Sequence, residues 1–201
     1  MRNAAEYLRV KLEEGSCRIG QIVVSAGFSL NHEEDADRED LVRSNDPHEA
    51  IAIARYDDAG KYRPLKTAPN LRHGWRLELR SLSDAVLALD FLYPAALGTA
   101  AAQEDGRLDA VDLRRTLDRQ TGMYAVVKKM TDAQADEVVG SVCRGQPGCL
   151  RRILWPISGE RPLASGLADG NGPTAGIPLL CAEACNLLVA AGRTVVKKAA
   201  A

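Results

Sequence analysis

The chain has 201 residues, 46% hydrophobic but only 4% aromatic, and 26 basic side chains stand against 27 acidic ones for a net charge of −1. That length suits one large domain or two small ones, with Leu, Val, Ile and Ala left to fill the core. No run of eighteen apolar residues exists, which excludes a simple membrane-spanning helix, and the charge balance excludes the strong basic footprint of a nucleic-acid binder.

The opening MRNAAEYLRVKLEEG mixes charges through its apolar positions, unlike a secretory signal, so a soluble, cytoplasmic chain is expected. Residues 3–13 read as an amphipathic helix with Ala5, Leu8 and Leu12 on one side. GQIVVSA (20–26) reads as a buried strand, and 31–40, containing HEEDADRED, as an exposed acidic segment. Asp46 and Pro47 open a helix running to about Tyr56, and 57–60 turn the chain. WRLELR (75–80) alternates as a strand, with Trp75, Leu77 and Leu79 inward. Ser81 or Ser83 caps an apolar helix to Tyr93, where Pro94 stops it. The small and polar residues 95–105 read as a joint between units.

Beyond that joint a helix is expected over 109–119 and a strand over MYAVVKKM (123–130). Thr131 and Gln134 form a capping box for a helix to about Val142. Residues 159–178, with five glycines and three prolines, read as a long irregular loop, and a last helix over about 179–192 carries Cys181 and Cys185. The predicted class is α+β, with an N-terminal scaffold domain over 1–100 and a smaller domain over 101–201.

Function-bearing residues concentrate in the second part. Four of five cysteines lie in the last 59 residues as two pairs, Cys143 with Cys149 and Cys181 with Cys185. Four thiolates match the ligand count of a tetrahedral zinc or an iron–sulfur cluster. In a reducing compartment clustered cysteines point to metal rather than disulfides. On a helix Cys181 and Cys185 would lie one turn apart on one face. Cys143 and Cys149 bracket RGQPG, whose backbone can fold tightly round a ligand. The C-x5-C spacing is loose for zinc and suits a cube better. Buried cysteines that act as small hydrophobes are the plain alternative, and that is the expected role of the solitary Cys17. Net charge is −4 over 1–119 and +3 over 120–201, so the basic excess sits with the thiolates it could offset.

CRGQPGCLRRILW, followed after a Gly/Pro loop by IPLLCAEACNLLVAAGR, resembles the C-terminal iron–sulfur domain of multidomain bacterial proteins whose N-terminal part is sirohydrochlorin cobaltochelatase-like. YRPL (62–65), HGW (73–75) and LDFLYP (89–94) resemble the α+β stabilising domain that precedes it there. The resemblance implies that a [4Fe–4S] cluster is ligated by Cys143, Cys149, Cys181 and Cys185. With all four irons ligated, none is open to substrate, so electron transfer or redox sensing is expected, tied to tetrapyrrole or metal metabolism. An enzyme whose cluster feeds electrons to a substrate at the N-terminal domain is the second reading; a structural zinc or cluster in an interaction module is the third. The expected partner is a redox protein or a chelatase-like enzyme, with no nucleic acid and no membrane, and a homodimer is compatible.

Other constellations are blander. His32 to Asp35 with Asp37 could bind a divalent cation but reads as a solvated acidic loop. His48 reads as exposed, and His73 as a packing or surface residue with a hydrogen bond toward the cluster as its sharper role. Arg144, Arg151, Arg152 and Arg161 flank the cysteines, either as surface charge or to tune the cluster and dock an acidic partner. No Walker loop, G-x-S-x-G or G-x-G-x-x-G is present, and Gly166, Gly170 and Gly172 read as loop.

Overall fold

A computed structural model describes residues 3–13, 15–62, 71–108, 112–143, 149–153, 175–181 and 184–199. The architecture is α+β. The chain divides into two compact units, one from Met1–Leu108 with Ala168–Leu179, the other from Asp109–Leu167 with Leu180–Ala201.

The first unit begins with helix α1 (Ala4–Leu12), which the Asn3 side chain caps by accepting from Glu6 N at 2.8 Å. Leu8 and Leu12 are buried as the spacing predicts, and so is Tyr7, whose hydroxyl donates to Glu104 Oε1 at 2.7 Å. Strands β1 (Ser16–Ile19), β2 (Ile22–Ser25) and β3 (Ser29–His32) follow as an antiparallel meander. The sequence resolves only the middle strand, because Ser16, Arg18, Asn31 and His32 break up the apolar pattern of its neighbours. Gly20 turns β1 into β2 at φ +56°.

β5 (Trp75–Glu78) pairs antiparallel with β3, and β4 (Val42–Ser44) pairs parallel with β5. β7 (Ala175–Ile177) returns to pair parallel with β1, giving the order β4-β5-β3-β2-β1-β7. Trp75, Leu77 and Leu79 are buried, as the alternation predicts. Helix α2 (Glu49–Arg55) starts after the predicted Asp–Pro signal, with Asp46 Oδ1 accepting from His48 N at 2.9 Å. Helix α3 (Leu82–Leu92) is capped by Ser81, whose Oγ accepts from Asp84 N.

Residues 95–105, expected to be irregular, form helix α4 (Ala96–Glu104). Alanine is the best helix former, and Ala96, Leu97, Ala100 and Ala101 supply a buried face. α4 packs on α1 and α3.

The 31–40 segment is also corrected. It is acidic but not simply solvated, since Glu33–Asp35 form a 3-10 turn and His32 and Asp35 are fully buried. His32 Nδ1 accepts from Glu34 N, and Asp35 Oδ2 accepts from Gly74 N at 2.7 Å.

The second unit is a small helical cluster. Helices α5 (Leu113–Asp118), α6 (Asp132–Val142) and α7 (Asn186–Ala199) surround Leu113, Leu117, Val127, Val138, Val139, Leu188 and Val189. The capping box at Thr131 and Gln134 is present in full. Gly122–Lys129, expected as a strand, is a 3-10 helix whose one buried residue, Val127, packs on α7. Two short strands, β6 (Arg152–Ile153) and β8 (Leu180–Cys181), pair in parallel. No single helix among the described residues is long and apolar enough to cross a membrane.

Candidate metal centre

All four candidate ligands lie in the second unit. Cys143 is the C-cap of α6, where its N–H donates to Val139 O at 2.9 Å, and it is 8% exposed within the apolar cluster. Its position is fixed by α6, which the capping box starts and whose Ala135, Val138 and Val139 are buried.

Cys149 is half-buried, and its Sγ accepts the Arg151 backbone N–H at 3.5 Å. Burial pushes its thiol above the ordinary value, the Arg151 N–H pulls it back, and the neighbouring Cys185 sulfur pushes it up again.

Cys181 and Cys185 do not share a helix. Cys181 ends β8, held by parallel pairing with Ile153, while Cys185 immediately precedes α7 and its carbonyl accepts from Val189 N at 3.0 Å. Leu180 and Cys181 are taken up in the strand pairing with Arg152 and Ile153, so the expected helix over 179–192 begins only at Asn186 and runs as Asn186–Ala199. Cys185 packs against the same apolar cluster that contains Cys143. It also stands where the unpaired N–H groups of a helix N-terminus favour negative charge.

The structure thus links the sulfurs in steps. Cys143 and Cys185 share one apolar cluster, and the chain just after Cys149 pairs with the strand that bears Cys181. Among the described residues no three His, Cys, Asp or Glu side chains converge on a single point as a metal site. The donor chemistry nonetheless suits an iron–sulfur cluster: four cysteines without a disulfide, in one small unit, one of them already accepting an amide N–H as cluster-ligating sulfurs do.

Sequence reasoning missed the part played by Arg151. Its guanidinium Nη1 donates to Leu180 O at 2.9 Å, which nothing in CLRR distinguishes from a surface arginine. Arg144, Arg161 and the glycines at 166, 170 and 172 lie outside the described residues, as does the side chain of Arg152.

Outside this unit, Cys17 is fully buried on β1 and its thiol is pushed up to about 12 by burial, matching the packing role expected of it. His48 is exposed and pairs with Asp46. His73 sits edge-on to His32, with ring centroids 4.1 Å apart, and its Nδ1 lies 3.7 Å from Asp35 Oδ1. All three residues of that cluster belong to the first unit.

Comparison with known proteins also divides the chain in two, with Ala168–Leu179 of the first unit falling inside the second family match. Residues 4–104 match the family model of the DR2241 stabilising domain, and residues 105–194 that of a 4Fe-4S iron-sulfur cluster binding domain. Among solved structures the chain is similar to DR2241 from Deinococcus radiodurans, a multi-domain protein with structural similarity to chelatases and two additional novel domains. The TM-score is 0.78 at 35% identity, over 97% of this chain and 41% of that one. This chain thus spans less than half the length of DR2241. No curated protein matches. Its first half is a DR2241 stabilising domain and its second a 4Fe-4S iron-sulfur cluster binding domain, and by that pairing the chain belongs to the DR2241 family.

Proposed function

We propose that Cys143, Cys149, Cys181 and Cys185 hold a [4Fe–4S] cluster and that the chain acts in electron transfer or redox sensing. The observation that carries this is the set of four cysteines free of disulfides inside the unit that matches a cluster-binding domain. When bound, such a cluster supplies one-electron chemistry. The residues of this chain provide its setting. The Arg151 N–H donates to Cys149 Sγ, α7 presents its N-terminus behind Cys185, and Val139, Leu188 and Val189 keep one side dry. With four cysteines for four irons, no iron is left for a substrate, which favours an electron carrier or sensor over catalysis at the metal.

Likeness to a protein with structural similarity to chelatases supports a role beside a chelatase-like partner in tetrapyrrole or metal metabolism. Reduced cysteines in close pairs suit the cytoplasm. The test is a redox titration of anaerobically purified protein followed by visible absorption. Reversible bleaching of the cluster's visible absorption is expected. A colourless protein with stoichiometric zinc would refute the cluster, and a cluster that neither reduces nor oxidises reversibly would refute the redox role.

A further inference from the structure

Arg151 stands two residues after Cys149 and makes two contacts in opposite directions. Its backbone N–H donates to Cys149 Sγ at 3.5 Å, and its guanidinium Nη1 donates at 2.9 Å to Leu180 O, the carbonyl just before Cys181. In the next two positions, Arg152 and Ile153 pair in parallel with Leu180 and Cys181. We propose that Arg151 is the positioning residue of the metal centre, a clamp that holds the first cysteine pair against the second and sets its charge beside Cys149. The proposal rests on the reading that these cysteines are cluster ligands.

The physical need for a clamp follows from the chain. Cys149 and Cys181 are separated by 31 intervening residues, and bringing the ends of so long a loop together has an entropic cost that grows with its length. A parallel pair only two residues long cannot hold itself in water. Leu180 is 3% exposed, so the bond to its carbonyl is sheltered from competing water, and a charged donor makes that bond stronger than a neutral one. The planar guanidinium reaches the carbonyl while the backbone N–H of the same residue holds the sulfur. One residue therefore ties the segment of Cys149 to that of Cys181 before any cluster arrives.

The test uses the full chain in two arms. In the first, reduced, metal-free protein is treated with diamide and its disulfides are mapped by mass spectrometry. Wild type should first form a disulfide from Cys149 to the second pair, Cys181 or Cys185. Arg151→Gln should form it roughly fivefold more slowly, because the proximity is lost. Arg151→Lys, with the charge kept but the planar fork lost, should fall between them at about twofold slower. Either variant closing at the wild-type rate would overturn the clamp, and the Lys variant decides if Arg151→Gln fails to fold.

In the second arm the proteins are reconstituted with iron and sulfide and their midpoint potentials measured. Arg151→Gln should shift the potential negative, while Arg151→Lys should hold the wild-type value. An unchanged potential in Arg151→Gln would reduce Arg151 to scaffolding and overturn its placement at the centre. A wild-type chain that takes up no iron would overturn the ligand reading instead, with the disulfide arm still deciding the clamp.

Discussion

At Gly20 a single hydrogen decides whether a hairpin closes. The residue sits at φ +56°, and a Cβ there would come within 2.7 Å of Leu179 Cδ1 and 2.9 Å of the Tyr93 ring. Tyr93 is itself pinned in the core, with its hydroxyl accepting from Gln21 N. Gly20→Ala therefore meets both backbone strain and a rigid ring, and should destabilise the first unit by about 2–3 kcal/mol. Thermal or urea denaturation measures it. His32 gives a second residue-scale prediction. Its pKa is lowered from 6.5 by burial first and by His73 second, against the opposing pull of Glu34, Asp35 and Glu33. The unfolded chain then takes up the proton before the folded one. The stability His32 contributes is complete above pH 6.5 and is lost as pH falls toward the folded value. Urea midpoints at pH 7.5 and 5.5 should show this loss, and His32→Gln should flatten it. An equal loss in both proteins would assign the pH dependence elsewhere. Neither effect is visible in the sequence. Gly20 reads as an ordinary strand edge, and HEEDADRED advertises charge while concealing that His32 and Asp35 turn inward.

Among the elements, those with local signals are legible and those made by pairing are not. The Ser81 cap, the capping box of α6 and the alternation of β5 all match their predicted places, because each depends on residues a few positions apart. β4 and β7 are set by partners far along the chain, and the polar residues of β1 and β3 hide their hairpin pairing with β2 from a local reading. Ala-rich α4 read as a joint because small residues resemble linker, although their propensity is helical. The four cysteines were legible as a set, but their setting was not. Cys181 and Cys185 at i and i+4 suggest one helix face, whereas the strand pairing of Leu180–Cys181 puts them on different elements. Because α6 ends at Cys143, its cap bears on the metal centre. Thr131→Ala removes the bond that Thr131 Oγ1 accepts from Gln134 N, leaving only the one its own N–H donates to Gln134 Oε1, and should cost the second unit about 1 kcal/mol. Cluster loading should fall with it when the protein is warmed. A melting curve identical to wild type would show that the box is dispensable.

At the scale of the whole molecule, the two units differ in what holds them. The first has a six-stranded sheet with buried Ile19, Ile22, Leu30 and Leu77 and needs no metal for its core. The second has a modest apolar cluster, and its sequence over 159–167 has few large apolar residues. Ligand bonds at 143–149 and 181–185 would then contribute directly to folding. Removing iron should make the second unit's chain over 143–167 protease-sensitive while the first unit stays intact; equal resistance with and without iron would separate fold from metal. The most direct test of the central claim counts iron and acid-labile sulfide in anaerobically purified wild type, in the four single Cys→Ala variants at 143, 149, 181 and 185, and in Cys17→Ala. The account predicts about four of each per chain in wild type, the same in Cys17→Ala, whose thiol is buried on β1, and a strong loss in each of the other four. A full complement in any of those four variants, or loss of the cluster in Cys17→Ala, would contradict it.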